Sequence, residues 1–349
     1  MTIPVGVLLN SEYSARELAS LGRLSEELGY DQLWYTDNRL FRECYLGLGA
    51  LAAETSRIRL GPGVTDPYSR HPAVTAATMA TLDELCGGRA ILGLGVGGAS
   101  FRELGLSTPR PLAALREAVD VIRRLLRGHE VTLEGKVVSL RGGRLQFAPV
   151  RNHIPVYFAT HGAQIARLAG EIADGVLLGN ILSPGGVDFY VSRVQEGAAK
   201  AGRPPESVDI SLRPEVCVAE DEAAAFAVMR QRAATRLIWT YPHWEYLDHL
   251  EVTIPAGLAE VAARGGLSEV ERAAGLIPDA VVAATVAAGH PERVADQLAA
   301  AFRPGVTRVT IRAHALPGGG IAPVLRAFME EVVPRIEKRL QASSPRPTP

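Results

Sequence analysis

The stretch IRLGPGVTDPYSRHPAVTAATMATLDELCGGRAILGLGVGG, from Ile58 to Gly98, reads as a strand, a helix and a second strand. Its ends, IRLGPGV and AILGLGV, are short and apolar, and AVTAATMATLDEL between them has helix length. Strands that are apolar throughout and separated by helices indicate a parallel sheet covered on both faces, with right-handed connections. After Leu60 the chain spends two glycines and a proline before Thr65 and Asp66. Glycine admits a close neighbour, so this backbone is expected to lie against something that excludes side chains.

The same rhythm continues outward. Upstream lie IPVGVLL, ARELASLGRLSEELG, DQLWYTD and CYLGLGALAAET. Downstream lie IPVYFAT, QIARLAGEIAD, GVLLGN, VDFYVSRVQEGAAKAG, VDISLRPEVCVA, VTRVTIRA and a closing helix, IAPVLRAFMEEVVPRIEKRL. Counting gives eight strands, which favours a closed (β/α)8 TIM barrel, an α/β fold, over an open doubly wound sheet. A chain of 349 residues, 47% hydrophobic, suits such a barrel as a single domain. We expect that domain over 1–340, with insertions near 128–150 and 237–276 and a disordered tail at 341–349. In the first insertion, VTLEGKVVSLRGGRLQF reads as a hairpin turning at Gly142-Gly143. The second opens with LIWTYPHWEYLDHLE, whose Trp239, Tyr241, Trp244 and Tyr246 either wall a pocket or pack an extra helical hairpin.

A net charge of -1 without a dense basic run gives no electrostatic support to nucleic-acid or anionic-membrane binding. Cys44, Cys86 and Cys217 are isolated, which argues against disulfides and zinc and fits a reducing cytoplasm. MTIPVGVLLN has no basic leader and no apolar stretch is long enough for a bilayer, so a soluble, cytoplasmic protein is expected. No histidine pair has metal-ligand spacing, so no metal is expected, and neither a G-x-S-x-G elbow nor a P-loop is present.

In a parallel barrel the active site forms where strands end, which selects Thr36, Asp37, Asn38 and Arg39, then Gly63, Val64, Thr65 and Asp66. Gly95, Val96, Gly97 and Gly98 follow, then Thr160, His161 and Gly162, then Gly179 and Asn180. GLGVGG lacks the G-x-G-x-x-G spacing, which rejects a Rossmann fingerprint, yet its glycines permit a flat ring or a phosphate to approach. Gly162, Ala163 and Gln164 open a helix whose amides and dipole suit a phosphate. His161 either bonds an anion or caps that helix, and His71, before Pro72, reads as a structural turn.

GPGVTDPYSRHPAVTAATMATLDELCGGRAILGLGVGG, with AGEIADGVLLGN and EGAAKAGR, resembles the bacterial-luciferase-like superfamily, and within it the coenzyme F420-dependent methylenetetrahydromethanopterin reductases. The resemblance implies a (β/α)8 barrel, usually a homodimer, with the deazaflavin ring against the barrel mouth. It implies a cis peptide at Gly63-Val64 backing the ring, with Thr65, Gly95, Val96, Gly97 and Gly98 around it. Gly162, Ala163 and Gln164 would surround the phosphate of the cofactor tail, and Thr160, His161, Gly179 and Asn180 would also bind the cofactor. Asp37 and Asn38 would orient or protonate a small organic substrate as hydride moves to or from the ring's C5, and an acid role for Asp37 would need burial to raise its pKa. Leu8, Trp239, Tyr241 and Trp244 would line the substrate pocket. Methanopterin reductases typically carry glutamate, histidine and aspartate where this chain has Leu8, Asn38 and Gly98, so a less basic substrate than the pterin is expected. The alternatives are an FMN-dependent two-component monooxygenase and a non-catalytic flavin-binding barrel.

Overall fold

A computed structural model describes residues 2–98, 100–101, 103–160 and 162–343. The expected tail beyond Ser343 and His161 lie outside the described residues. Ten strands form the main sheet: β1 (Val5–Leu9), β2 (Gln32–Tyr35), β3 (Arg59–Pro62), β4 (Leu92–Leu94), β7 (Val156–Thr160), β8 (Gly175–Gly179), β9 (Asp209–Arg213), β10 (Glu215–Val218), β11 (Val286–Gly289) and β12 (Arg308–Ala313). β5 (Val131–Glu134) and β6 (Ser139–Gly143) form a separate hairpin. The order β3-β2-β1-β12-β9-β8-β7-β4 is parallel throughout. Bridges Leu60 to Ala90 and Thr65 to Leu94 then join β3 to β4. The eight runs of the sequence therefore form a barrel.

The seam between β3 and β4 is uneven. Between its two bridges β3 advances five residues and β4 only four, so one extra residue bulges out of β3. The bulge holds Gly63 and Val64, and the peptide bond joining them is cis.

Helices run between the strands: α1 (Ala15–Glu27), α2 (Cys44–Glu54), α3 (Pro72–Leu85), α4 (Pro111–Leu126), α5 (Ala163–Ile172), α6 (Pro184–Lys200) and α7 (Glu222–Thr240). After α7 come α8 (Ala256–Arg264), α9 (Val270–Leu276), α10 (Asp279–Thr285), α11 (Pro291–Ala301), α12 (Ala322–Ala327) and α13 (Val333–Ser343). Local chemistry sets their starts. Ser14 and Glu17 close a capping box on α1, and His71 Nδ1 accepts the Ala73 amide with Pro72 in the first turn of α3. His71 Nε2 lies 2.9 Å from the Ser139 carbonyl, so this residue is a structural cap.

The main apolar core, including Leu33, Leu60, Met79, Phe158 and Tyr190, lies between strands and helices. A second core of Leu8, Trp34, Ile91, Tyr157 and Leu177 fills the barrel interior. Below it, where the strands begin, a polar layer closes the bottom. Tyr157 donates to Asp209 at 2.8 Å, Arg308 Nε reaches the same carboxylate at 2.9 Å, and Gln32 donates to the Tyr157 oxygen at 3.1 Å. The open end is thus the one where strands finish.

Three features differ from the expectations. The hairpin turns at residues 135–138, since Glu134 pairs with Ser139, while Gly142 and Gly143 lie in β6. The Glu117 carboxylate selects that turn, accepting the amides of Lys136, Val137 and Val138 at 2.7, 3.0 and 2.9 Å. VDISLRPEVCVA is broken at Pro214, which has no N–H for the ladder: β9 pairs with β8 and β12, while β10 pairs with β12 and β11. β11, an additional strand in TVAAGH, lies beside β10.

Candidate active site at the barrel mouth

Leu8, with Trp34 and Leu177, floors the mouth. Above β2, Thr36 is fixed by Ser11, whose amide it accepts at 2.8 Å. Asp37 and Asn38 follow it, partly exposed. Arg39 folds back to donate to the Asp37 carbonyl and to pair with Asp66. Asp66 is wholly buried and also accepts the amides of Tyr68 at 2.8 Å and Ser69 at 2.7 Å. The charge beyond the bulge therefore ties the loops after β2 and β3 together. From Asp37 and Asn38 a cleft of about 620 Å³ runs past Tyr68, Arg70 and His71.

Gly63 and Val64 are partly exposed, whereas Thr65 is wholly buried with its backbone in the seam. A Cβ on Gly63 would meet Trp34 Cβ at 2.8 Å and Leu8 Cδ1 at 3.2 Å. One on Gly95 would meet Val64 Cγ2 at 2.7 Å. Gly63 thus lets the end of β3 lie against Leu8 and Trp34, and Gly95 makes room for the Val64 side chain. Val96 is partly buried, and Gly97 and Gly98 are exposed at φ 82° and 146°, conformations that favour glycine. The result is a rim of partly exposed Gly63, Val64 and Val96 beside the exposed backbone of Gly97 and Gly98.

At the end of β7, Thr160 Oγ1 accepts the Gly162 amide at 2.7 Å. Gly162 precedes α5 with no side-chain cap, and Ala163 and Gln164 present the first-turn amides at the positive end of the helix. Gly179 and Asn180 stand apart from this group. Both are buried, and Asn180 Oδ1 accepts Arg213 Nη2 at 2.9 Å and Arg236 Nη2 at 2.7 Å. A Cβ on Gly179 would lie 2.6 Å from Arg213 Nη2, so the glycine makes room for that guanidinium.

Trp239 and Tyr241 are exposed at the end of α7, while Trp244 meets Tyr241 edge-on at 5.3 Å and donates to the Leu237 carbonyl at 2.9 Å. Tyr246 is buried, and its segment packs on α6, where His249 stacks on Phe189 at 3.6 Å. The insertion therefore sits over the β8 side of the mouth.

An arginine group escaped the reading of strand ends. Arg213 in β9, Arg312 in β12, and Arg232 and Arg236 on α7 gather around Glu215 and Asn180. Glu215 Oε2 lies 3.2 Å from Arg232 Nε and 2.9 Å from His314 Nε2, and Glu215 Oε1 lies 3.5 Å from Arg312 Nη1. Burial opposes charge on Glu215, but Arg312, His314 and Arg232 outweigh it and hold the carboxyl well below its usual range. Burial, then the neighbouring Arg236, pushes Arg213 down to about 9. Burial lowers the pKa of His314, against the pull of the Glu215 carboxylate beside it. The signal in the sequence is an arginine inside each of two apolar strands, ISLRPEV and VTIRA.

Comparison with known proteins adds identity to this geometry. The model of the luciferase-like monooxygenase family matches residues 2–308. The 5,10-methylenetetrahydromethanopterin reductase of Methanopyrus kandleri is 30% identical over 358 residues, covering 96% of this chain and 99% of that protein. The enzyme of the same name from Methanolobus tindarius is 39% identical over 212 residues, a match covering 60% of this chain and 64% of its relative. The structure of the coenzyme F420-dependent tetrahydromethanopterin reductase of M. kandleri superposes with a TM-score of 0.83 at 29% identity, covering 96% of this chain and 100% of that one.

Proposed function

Because the chain belongs to the luciferase-like monooxygenase family, we propose that it is an F420-dependent oxidoreductase moving a hydride between the deazaflavin C5 and a small organic substrate. The observation that carries this reading is the mouth itself: a bulged strand at Gly63 and Val64, pressed against Gly95, beside a helix start without a side-chain cap. These residues fit a flat ring with a phosphate-bearing tail. Gly63, Val64 and Gly95 to Gly98 would hold the ring, and the amides of Ala163 and Gln164 the phosphate. When bound, F420 supplies two electrons and a proton's worth of hydrogen as a single hydride.

The chain's own residues do the rest. Leu8, Trp34 and Leu177 form a dry floor that excludes water from the reacting face. Asp37, held beside the mouth by Arg39 at its carbonyl, orients the substrate's oxygen or nitrogen and takes or gives the proton that accompanies the hydride. Asn38 contributes a neutral hydrogen bond to the same group. Leu8 offers no polar partner to a pterin, which supports a different substrate.

We extend the reading to a cytoplasmic homodimer. Among the described residues no helix is long and apolar enough to cross a membrane, and the three cysteines are free and buried. Exposed Leu46 and Leu85 flank small residues Gly49, Ala77 and Thr78 on α2 and α3, a face suited to a second copy.

The test is anaerobic mixing of the protein and F420 with a panel of small alcohols, aldehydes and imines. Substrate-dependent conversion between oxidised and reduced F420 without oxygen supports the reading. Product formation only with FMNH2 and dioxygen overturns it in favour of a monooxygenase.

A further inference from the structure

The four arginines outnumber their counter-charges. Arg213, Arg232, Arg236 and Arg312 gather around the single buried carboxylate of Glu215, with His314 Nε2 2.9 Å from it. Exposed Glu12 is a second acidic group near Arg312. Among the described residues, four guanidiniums thus meet one buried carboxylate and one exposed one. Arg213 is only 6% exposed, yet among the described residues it and Arg236 make no ion pair; both donate to the neutral Asn180 oxygen. Arg312 Nε is buried with no hydrogen-bond partner among the described residues. Buried cations left without a counter-charge are costly, and a two- or three-oxygen anion would satisfy these donors together.

The position is also informative. In the ring order, β9 and β12 lie diametrically opposite the β3–β4 seam. The apolar floor of Leu8, Trp34 and Leu177 lies between the two. A small molecule resting on that floor can extend one end toward the bulge and the other toward the arginines. Tyr246 of the insertion sits close enough to Arg236 to feel its charge, so the insertion borders the same corner.

We propose that the cluster is an anion pocket for the substrate: the molecule oxidised or reduced at this mouth carries a carboxylate or phosphate that Arg213, Arg236 and Arg312 receive. The inference rests on the F420-dependent reading for the word substrate, while the pocket itself rests on the arginines. Hydride leaves or enters a carbon at the other end of the molecule, so the anion undergoes no chemistry and serves only to position it.

The experiment has separate arms. Inorganic phosphate, titrated at constant ionic strength against the unliganded protein, is expected to raise the melting temperature saturably. Arg236→Met, at a half-buried helix position, and Arg213→Met should each weaken that binding by roughly 10- to 100-fold. Arg213→Met should melt no lower than wild type without phosphate, because it removes an uncompensated buried charge. F420 affinity should stay within about twofold in both variants. With F420 bound, carboxylate- or phosphate-bearing alcohols should outperform their neutral counterparts, and phosphate should inhibit competitively with them.

Unchanged phosphate binding in both variants would mean an adventitious ion only and would overturn the proposal. A loss of F420 affinity that disappears with a tail-less deazaflavin would assign the arginines to the cofactor tail, and would overturn it too. Failure of the wild-type protein to bind F420 at all, with phosphate binding intact, sinks the F420 reading and leaves the pocket.

Discussion

Replacing Gly63 by alanine tests the link between the bulge and the cofactor face. The new Cβ would lie 2.8 Å from Trp34 Cβ and 3.2 Å from Leu8 Cδ1. Trp34 is wholly buried and its Cβ is attached directly to the β2 backbone, so it cannot step aside as the end of a flexible side chain would. The bulge must therefore move outward by some tenths of an ångström. Overpacking of this kind costs about 1–3 kcal/mol. With an unfolding entropy near 2.1 cal/mol/K per residue, a chain of this length loses roughly 1.5–4 °C of melting temperature. The functional effect should be larger, because the displaced atoms are the ones proposed to back the ring: F420 affinity should fall about tenfold or more. Melting curves and calorimetric F420 titrations read both quantities. Gly275→Ala, exposed in α9 with open space around it, is the control and should change neither adversely. Wild-type F420 affinity and an unchanged melting temperature in Gly63→Ala would refute both the packing argument and the assignment of this backbone to the cofactor.

Three further outcomes are expected. Asp37→Asn should lower turnover by about a hundredfold while F420 affinity changes little, and equal turnover in stopped-flow assays removes Asp37 from the mechanism. Glu117→Ala should destabilise the protein by about 1–2 kcal/mol and speed amide exchange in Val131–Gly143, since three amides lose their acceptor. In acid, Glu26 should matter: burial opposes its charge, but the amides of Ile58, Arg57 and Ser56 outweigh it and bring its pKa from about 4.5 down to about 2. A carboxyl lowered on folding stabilises above its unfolded pKa and loses that contribution as pH falls toward the folded value. Wild type should thus lose stability between about pH 4.5 and 2, and Glu26→Gln should flatten that slope in denaturant titrations.

What the sequence disclosed and what it withheld have one physical origin. Strands buried on both faces need unbroken apolar runs, so the eight staves of the barrel stand out, and strand ends point to Asp37, Gly63 and Gly162. His71 before Pro72 carried its cap in its own neighbours. The hairpin turn was misplaced because its choice depends on Glu117, which is distant in sequence from the residues it holds. Asp66 follows the bulge like a ligand-binding charge, yet its partners are Arg39, two local amides and the Ser69 hydroxyl. The arginine group was hidden for the same reason: Arg213, Arg236 and Arg312 come from three elements, and only the folded barrel brings them to Asn180 and Glu215. Even so, Pro214 inside an apolar run was a readable sign of a broken strand.

The central claim is that this mouth holds a deazaflavin, and parallel titrations of the purified protein with F420 and with FMN test it most directly. The account predicts saturable, one-to-one binding of F420, weakened in Gly63→Ala and at least tenfold tighter than that of FMN. Tight FMN binding with no measurable F420 binding would contradict it.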